Sequence, residues 1–396
     1  MSKIIVFAFP VFLLLIALEL WWDRRHVRLA TAQGQQAKSS YGLSDTLSSL
    51  SMGMLSQVSG VFGKFIGIAV YAALFDSVAL WPQADLWNHW YGWCLALVIY
   101  DFCYYWLHRA GHEVALFWAA HVAHHQSQHY NLSTALRQTS TGALLGWVFY
   151  LPMAVLGVPP LLFGIVALVD LLYQFWVHTE HVGRLGWFDR VFCSPSNHRV
   201  HHAINDGYVD RNYGGVWVLW DRLFGTFAPE VQPCVYGTRT PLNSWDPVWA
   251  NLAVYAELWR RAGAAPRWAD KLRVWLKPPG WLPPGGSCRL ASAAQSDHPP
   301  TPSFDLAAVR TYAPPLQPGQ ALFAVAQNGL LTALGAWYLW NVDAQALPVA
   351  ALGAAAMTLG LWALGRYLQQ QLAWWSTLAL QSLAAATVLT VSPLTL

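Results

Sequence analysis

Eleven of the fourteen histidines in this 396-residue chain lie between His108 and His202. His108 and His112 make an HxxxH pair. His121-Val-Ala-His124-His125 makes HxxHH, and His198-Arg-Val-His201-His202 repeats it. His178 and His181 form a looser pair between them. Spacings of three and four put side chains on one helix face. A lone HxxxH is an ordinary polar helix face. Several such groups in one segment are not, because charged imidazoles would repel and buried unpaired ones would be costly. Metal ions remove both problems, and neutral imidazole is a ligand for iron, copper, nickel and zinc. Nine or ten imidazoles are too many for one ion and fit two. The candidate ligands are His108, His112, His121, His124, His125, His178, His198, His201 and His202. Any fold of this chain therefore has to bring residues 108–125, 178 and 198–202 to one place.

The segments between these groups decide what kind of fold can do so. The chain is 55% apolar and 11% charged, with 24 tryptophans. Soluble domains carry roughly a quarter charged residues, so this is a membrane composition. A net charge of +3 is too small to suggest nucleic acid. Cys94, Cys103, Cys193, Cys234 and Cys288 show no CxxC spacing and read as buried thiols in a reducing setting.

Residues 4–22 are apolar and long enough to span, and Trp21, Trp22, Arg24, Arg25 and Arg28 follow as an interfacial and cytoplasmic anchor. This is a signal anchor without a cleavage site, its N-terminus away from the cytoplasm. The 46–76 region fits either a tilted span over about 53–75 or an in-plane helix followed by a short span. Residues 91–107 run inward to His108. Residues 141–177, broken at Gly157-Val-Pro-Pro160, predict a hairpin that enters and returns on one side, bringing back His178. Residues 178–320 hold fourteen of the 23 Lys and Arg, which places them and the histidines in the cytoplasm. Residues 278–319 are Pro-, Ser- and Gly-rich, a linker. Apolar runs at 321–340, 346–365 and 371–391 close the chain as a bundle without chemistry. The expected fold is all-α, a multi-pass membrane helical bundle with a cytoplasm-facing histidine-rich di-metal site. Its parts are N-terminal anchor spans over 1–90, a catalytic domain over 91–240, a cytoplasmic extension and linker over 241–320, and membrane helices over 321–396.

Two acids stand close to the histidines. Asp101 lies seven residues before His108 on one helix face, inside a span. An acid there is a functional hypothesis by default, and the expected task is to accept the free N–H of a ligand imidazole. Glu113 follows His112 and reads either as a proton-transfer or donor-contact residue or as a helix-surface carboxylate. Asp170, Gln174 and His178 repeat every four residues as a polar stripe aimed at the cluster. His178 is favoured over His181 as ligand, because Gly183 ends the helix and leaves His181 in its fraying turn. Arg137, Arg199 and Asp221 are candidates for ordering the surrounding loops.

The three histidine motifs, in this order beside apolar helices, resemble the fatty acid hydroxylase and sterol desaturase superfamily of membrane di-iron enzymes. The strings Tyr130–Gln138, Leu172–Glu180, Pro195–His202, Asn212–Gly215 and Trp220–Phe227 are similar to its members that act on alkylglycerols. The resemblance covers 100–240 densely. It implies two iron ions, dioxygen, and a lipid substrate hydroxylated at the ether carbon, which collapses to glycerol and a fatty aldehyde. It also implies tetrahydropterin as electron donor, although no pterin site or dinucleotide fingerprint is visible in the residues. Imidazoles alone do not separate iron from zinc. The host membrane would be a bacterial inner membrane or the endoplasmic reticulum. The other readings are a hydroxylase or desaturase of a sterol, sphingolipid or fatty acid, a metal-ion transporter, and a non-catalytic scaffold. Transport predicts ligands near the bilayer midplane, whereas these lie beyond span ends.

Overall fold

The computed structural model describes residues 2–283 and 304–392, so Cys288, His298 and the central part of the expected linker lie outside it. Among the described residues there is no strand, only two isolated antiparallel bridges, Phe192 with Trp217 and Ala203 with Tyr236. Ten longer helices carry the architecture. They are α1 (Ser2–Ala32), α2 (Leu43–Val78), α3 (Trp90–Glu113), α4 (Pro160–Trp176), α5 (Pro195–His202), α6 (Pro247–Ala264), α7 (Trp268–Leu276), α8 (Pro318–Asn341), α9 (Leu347–Leu368) and α10 (Trp374–Val391).

Among the described residues four helical stretches are long and apolar enough to cross a membrane: Val6–Ala32, Pro318–Ala344, Leu347–Leu368 and Trp374–Val391. The last three match the apolar runs read from the sequence. The region left open at 46–76 is one helix, α2, bent by 42° between Gly63 and Ile66. Helix α3 covers 91–107 as expected, but it is not apolar enough to pass as a span by composition; its apolar stretch is diluted by Asp101 and by many Trp and Tyr residues. One of its faces is buried; Trp93, Leu95, Val98 and Trp106 are exposed on the other.

The expected hairpin is two short apolar pieces, Gly142–Val155 and Pro160–Trp176. At 1.5 Å per residue these are roughly 20 and 25 Å long, less than the ~30 Å hydrocarbon thickness, so they suit entry and return. Gly157 makes the turn with φ +85°, and a Cβ there would meet the backbone of Trp81 at 2.6 Å.

The C-terminal helices are not a separate appendage. Leu331, Tyr338, Leu361 and Leu364 of α8 and α9 share one buried cluster with Leu47, Leu55 and Val58 of α2. A third unit, α6 and α7, packs beneath residues 115–125, with Leu258 and Val274 against Ala115 and Ala119. Asp246 starts α6 by accepting from the Val248 and Trp249 amides, ahead of Pro247 at the first helical position. The histidine-bearing segments are thus held from below by α6 and α7 and from the sides by α1, α2 and α4.

A candidate metal centre of nine imidazoles

The structure draws the nine candidate ligands into two adjoining groups. His108, His112, His121, His125 and His201 form the first, and His124, His178, His198 and His202 the second. Within each group one nitrogen per ring lies within 4.8 Å of all the others. The sequence motifs are divided between them. In each HxxHH the first and last histidines, four apart, enter one group, and the middle one enters the other. Residues at i and i+4 share a helix face, while i+3 lies on its opposite shoulder. The groups touch: the rings of His125 and His202 stack at 4.4 Å. His181 lies in neither group. It reaches Asp23 Oδ1 at 3.3 Å and Ser40 Oγ at 3.4 Å, tying its loop to α1.

The rings are oriented from behind by carbonyls. The Nδ1–H groups of His108, His124, His178 and His201 donate to the carbonyls of Tyr213 (2.8 Å), Arg137 (2.8 Å), Gln174 (2.8 Å) and Arg211 (2.9 Å). His112 Nδ1 lies 3.5 Å from Asp210 Oδ1. A carbonyl can only accept, so these bonds fix the tautomer and leave a lone pair on each opposite Nε2. The Nε2 atoms of His108, His112 and His201 are buried with no partner. In the second group, Nε2 of His124 and of His178 face each other at 3.2 Å, lone pair to lone pair. Such an arrangement repels unless a cation lies between, and this is the observation that fits metal ions to the site. Burial holds His121, His125, His198, His201 and His202 well below the usual histidine range and His124 at about 4, with neighbouring charges adding to the effect. These six rings are therefore neutral and ready to ligate.

The loops that supply those carbonyls are themselves fixed by buried charges. Asp221 is fully buried and accepts from the Tyr213 amide (2.7 Å), the Gly214 amide (2.8 Å) and Thr226 Oγ1 (2.7 Å). Arg137 donates to the Ala123 carbonyl, Ser48 Oγ and Gln126 Oε1, joining α2 to the 121–125 turn. Arg199 forms a fork with both oxygens of Glu230 and also donates to the Thr179 and Val182 carbonyls, locking the segment after His178 to α5. Ser194 and Pro195 open α5 so that His198 begins its first full turn.

One expectation needs correction. Asp101 does not touch an imidazole. Its carboxylate accepts from the Val216 amide (2.6 Å), the Trp217 amide (3.4 Å) and the Trp220 indole (2.7 Å). A seven-residue offset is about 10 Å of helix, too far for a carboxylate to reach His108 directly. The segment it holds, Val216–Trp220, follows closely on Tyr213, whose carbonyl accepts from His108. Glu113 pairs with Arg109 at 2.9 Å and is 39% exposed, in keeping with the helix-surface carboxylate among its two readings. Backbone carbonyls and Asp210 went unrecognised in the sequence. Main-chain acceptors leave no side-chain signal, although the Asn212–Gly215 string marked the segment that supplies one of them.

A cavity of about 310 Å³ leads to the histidines from among α1, α2, α3 and α4. Phe9, Phe12, Leu107, Leu168, Leu172 and Phe175 give it an apolar wall, and His108, His121, His124 and His178 stand at its inner end. Tyr104 and Gln174 add a polar spot, joined by a 2.6 Å hydrogen bond.

Fold and site together define a class: a membrane-embedded helical protein with paired all-imidazole cation sites at the end of an apolar cavity. Comparison with known proteins is more particular. Residues 93–226 match the family model described as fatty acid hydroxylase. It is 38% identical over 293 residues to an alkylglycerol monooxygenase of Danio rerio, covering 72% of this chain and 61% of that protein. It is 39% identical over 241 residues to that of Homo sapiens, covering 61% and 54%. An ornithine lipid hydroxylase of Rhizobium tropici is 29% identical over 39% of this chain and 46% of its own length. The chain thus spans about half to three fifths of the length of the curated relatives it matches. No solved structure gives a significant match.

Proposed function

We propose that this chain is a dioxygen-dependent di-iron monooxygenase that hydroxylates a lipid C–H bond, in the first place the ether carbon of an alkylglycerol. The observation that carries the reading is the apolar cavity ending on imidazoles of both groups. A long alkyl chain fits such a wall, and a carbon at its inner end would lie against the histidines. Two irons, held by the nine named histidines, would supply the activation of dioxygen. The protein's own residues orient four of the nine rings, His108, His124, His178 and His201, through the carbonyls of Tyr213, Arg137, Gln174 and Arg211 and exclude water through the buried wall. Insertion of one oxygen atom gives a hemiacetal, R–CH(OH)–O–R′. Its O–H proton passes to the ether oxygen as the C–O bond breaks, giving a fatty aldehyde and glycerol. The second oxygen atom leaves as water after accepting two electrons and two protons, for which a tetrahydropterin is the proposed source. The named activities of the Danio rerio and Homo sapiens relatives support the choice of substrate. The excess of Lys and Arg over 178–320 supports a site on the cytoplasmic side.

Transport fits the geometry less well, because seven of the nine histidines lie in short helices and loops beyond the spans. The test is direct. Purified protein with ferrous iron, oxygen, a tetrahydropterin and a 1-O-alkylglycerol should release fatty aldehyde, dependent on each component. Intact alkylglycerol after incubation with iron-loaded protein would refute the substrate assignment.

A further inference from the structure

The histidines are reached by two hollows that share no lining residue. The apolar cavity ends on His108, His121, His124 and His178. A second hollow of about 80 Å³ ends on His112, His125, His201 and His202, imidazoles of both groups. It continues past Trp118, Thr238, Arg239 and Pro279 into a further space of about 240 Å³. Beside the imidazoles its walls carry an indole, a carboxylate and a guanidinium, those of Trp118, Asp210 and Arg239. The Trp118 ring lies 5.3 Å from that of His112 and 5.9 Å from that of His125. Asp210 lines the hollow, 26% exposed, with Oδ1 3.5 Å from His112 Nδ1. Arg239 is fixed as a wall by the Ile204 carbonyl and Asp206.

We infer that this second hollow binds the electron donor: a small, planar, water-soluble two-electron reductant, its ring against Trp118 and its N–H edge on the Asp210 carboxylate. The inference rests on the monooxygenase reading above and deepens it. A bound lipid fills the apolar cavity during the reaction, so a reductant has to arrive by another route. Two electrons and two protons must reach the oxygen atom that is not inserted. A donor here would touch rings of both histidine groups while its outer part lay beside Thr238 and Arg239. The combined space is of the size expected for a two-ring heterocycle, near the lower end of small-molecule pockets. An aromatic face plus a carboxylate suits an amino-substituted heterocycle and does not suit an alkyl chain.

The test separates the two hollows. Thr238→Trp should fill the second one, and Trp118→Leu should remove its aromatic face. Both should raise the KM for tetrahydropterin about tenfold or more, the scale of one lost stacking or charged hydrogen-bond contact. Both should weaken binding of a fluorescent, fully oxidised pterin, read by polarisation, by a similar factor. KM for the alkylglycerol and metal content should not move. Leu172→Trp in the lipid cavity should do the reverse. Thr238→Trp acting on the alkylglycerol KM instead, or wild-type protein that does not bind the pterin, would overturn the site. If wild type cleaves no alkylglycerol, the proposed reaction fails. The pterin-binding difference between wild type and Thr238→Trp then decides the site by itself.

Discussion

Asp101→Asn probes whether the first histidine group is set up from a distance. The carboxylate takes the buried Val216 amide on Oδ1 and the half-buried Trp220 indole on Oδ2, with the Trp217 amide at 3.4 Å from the same Oδ2. An asparagine has one oxygen and one NH2. It can satisfy one of the two donors and must turn its own N–H groups toward the other. The loss is one charge-assisted hydrogen bond, about 1.5–3 kcal/mol, plus part of the desolvation cost of the stranded donor. The expected destabilisation is therefore on the order of 2–4 kcal/mol. Because the strand from Tyr213 to Trp220 loosens, His108 loses its orienting carbonyl, and the first group should release metal more easily than the second. Trp220→Phe removes the indole donor and should reproduce part of the effect. In the double variant the asparagine no longer faces a stranded indole, so the two changes should fall short of additivity by about 1–2 kcal/mol. The assay is a double-mutant cycle on thermal midpoint in detergent, with metal per chain measured alongside. Strict additivity, or unchanged stability in Asp101→Asn, would refute the reasoning. Loss of metal without loss of stability would point back to direct contact with a ligand ring.

His178→Ala should lower metal content toward one ion per chain and abolish turnover, while His181→Ala, whose ring is tied to Asp23 and Ser40, should keep most of both. Gly215→Ala would bring a methyl to 2.8 Å from the Tyr104 ring and 2.9 Å from Oδ1 of both Asp101 and Asp170; overpacking of this kind costs about 1–3 kcal/mol, read as a lower thermal midpoint. The apoprotein should lose stability on acidification. The buried rings are held neutral, with His124 at about 4, so below pH ~6.5 the unfolded chain binds more protons than the folded one; stability should fall from pH 7.5 to 5.5, by up to about 1.4 kcal/mol per pH unit per ring, read as a lower thermal midpoint, and an unchanged midpoint would contradict the burial. A single reactive cysteine at Arg310, exposed in the structure, should be protected from an impermeant reagent added outside intact cells; labelling there would reverse the proposed orientation.

The nine ligand candidates were legible in the sequence because metal chemistry restricts residue type and helical geometry restricts spacing. HxxxH and HxxHH carry both restrictions on their face. The apolar runs that became α1, α8, α9 and α10 were legible for a similar reason, since a bilayer demands about twenty apolar residues in a row. The division of each HxxHH between two groups was implicit in the 3.6-residue period, but only the docking of α5 against residues 121–125 shows which ring goes where. Asp101 marks the limit. Its presence in a span announced importance, yet its partners, Val216 and Trp220, lie more than a hundred residues away and are chosen by how α3 packs against the 213–220 segment. The orienting carbonyls of Tyr213, Arg137, Gln174 and Arg211 were hidden for a deeper reason: every residue has a carbonyl, and only tertiary structure decides which are left unpaired and aimed at a ring. The same holds for the two hollows, which are spaces between elements and have no sequence of their own.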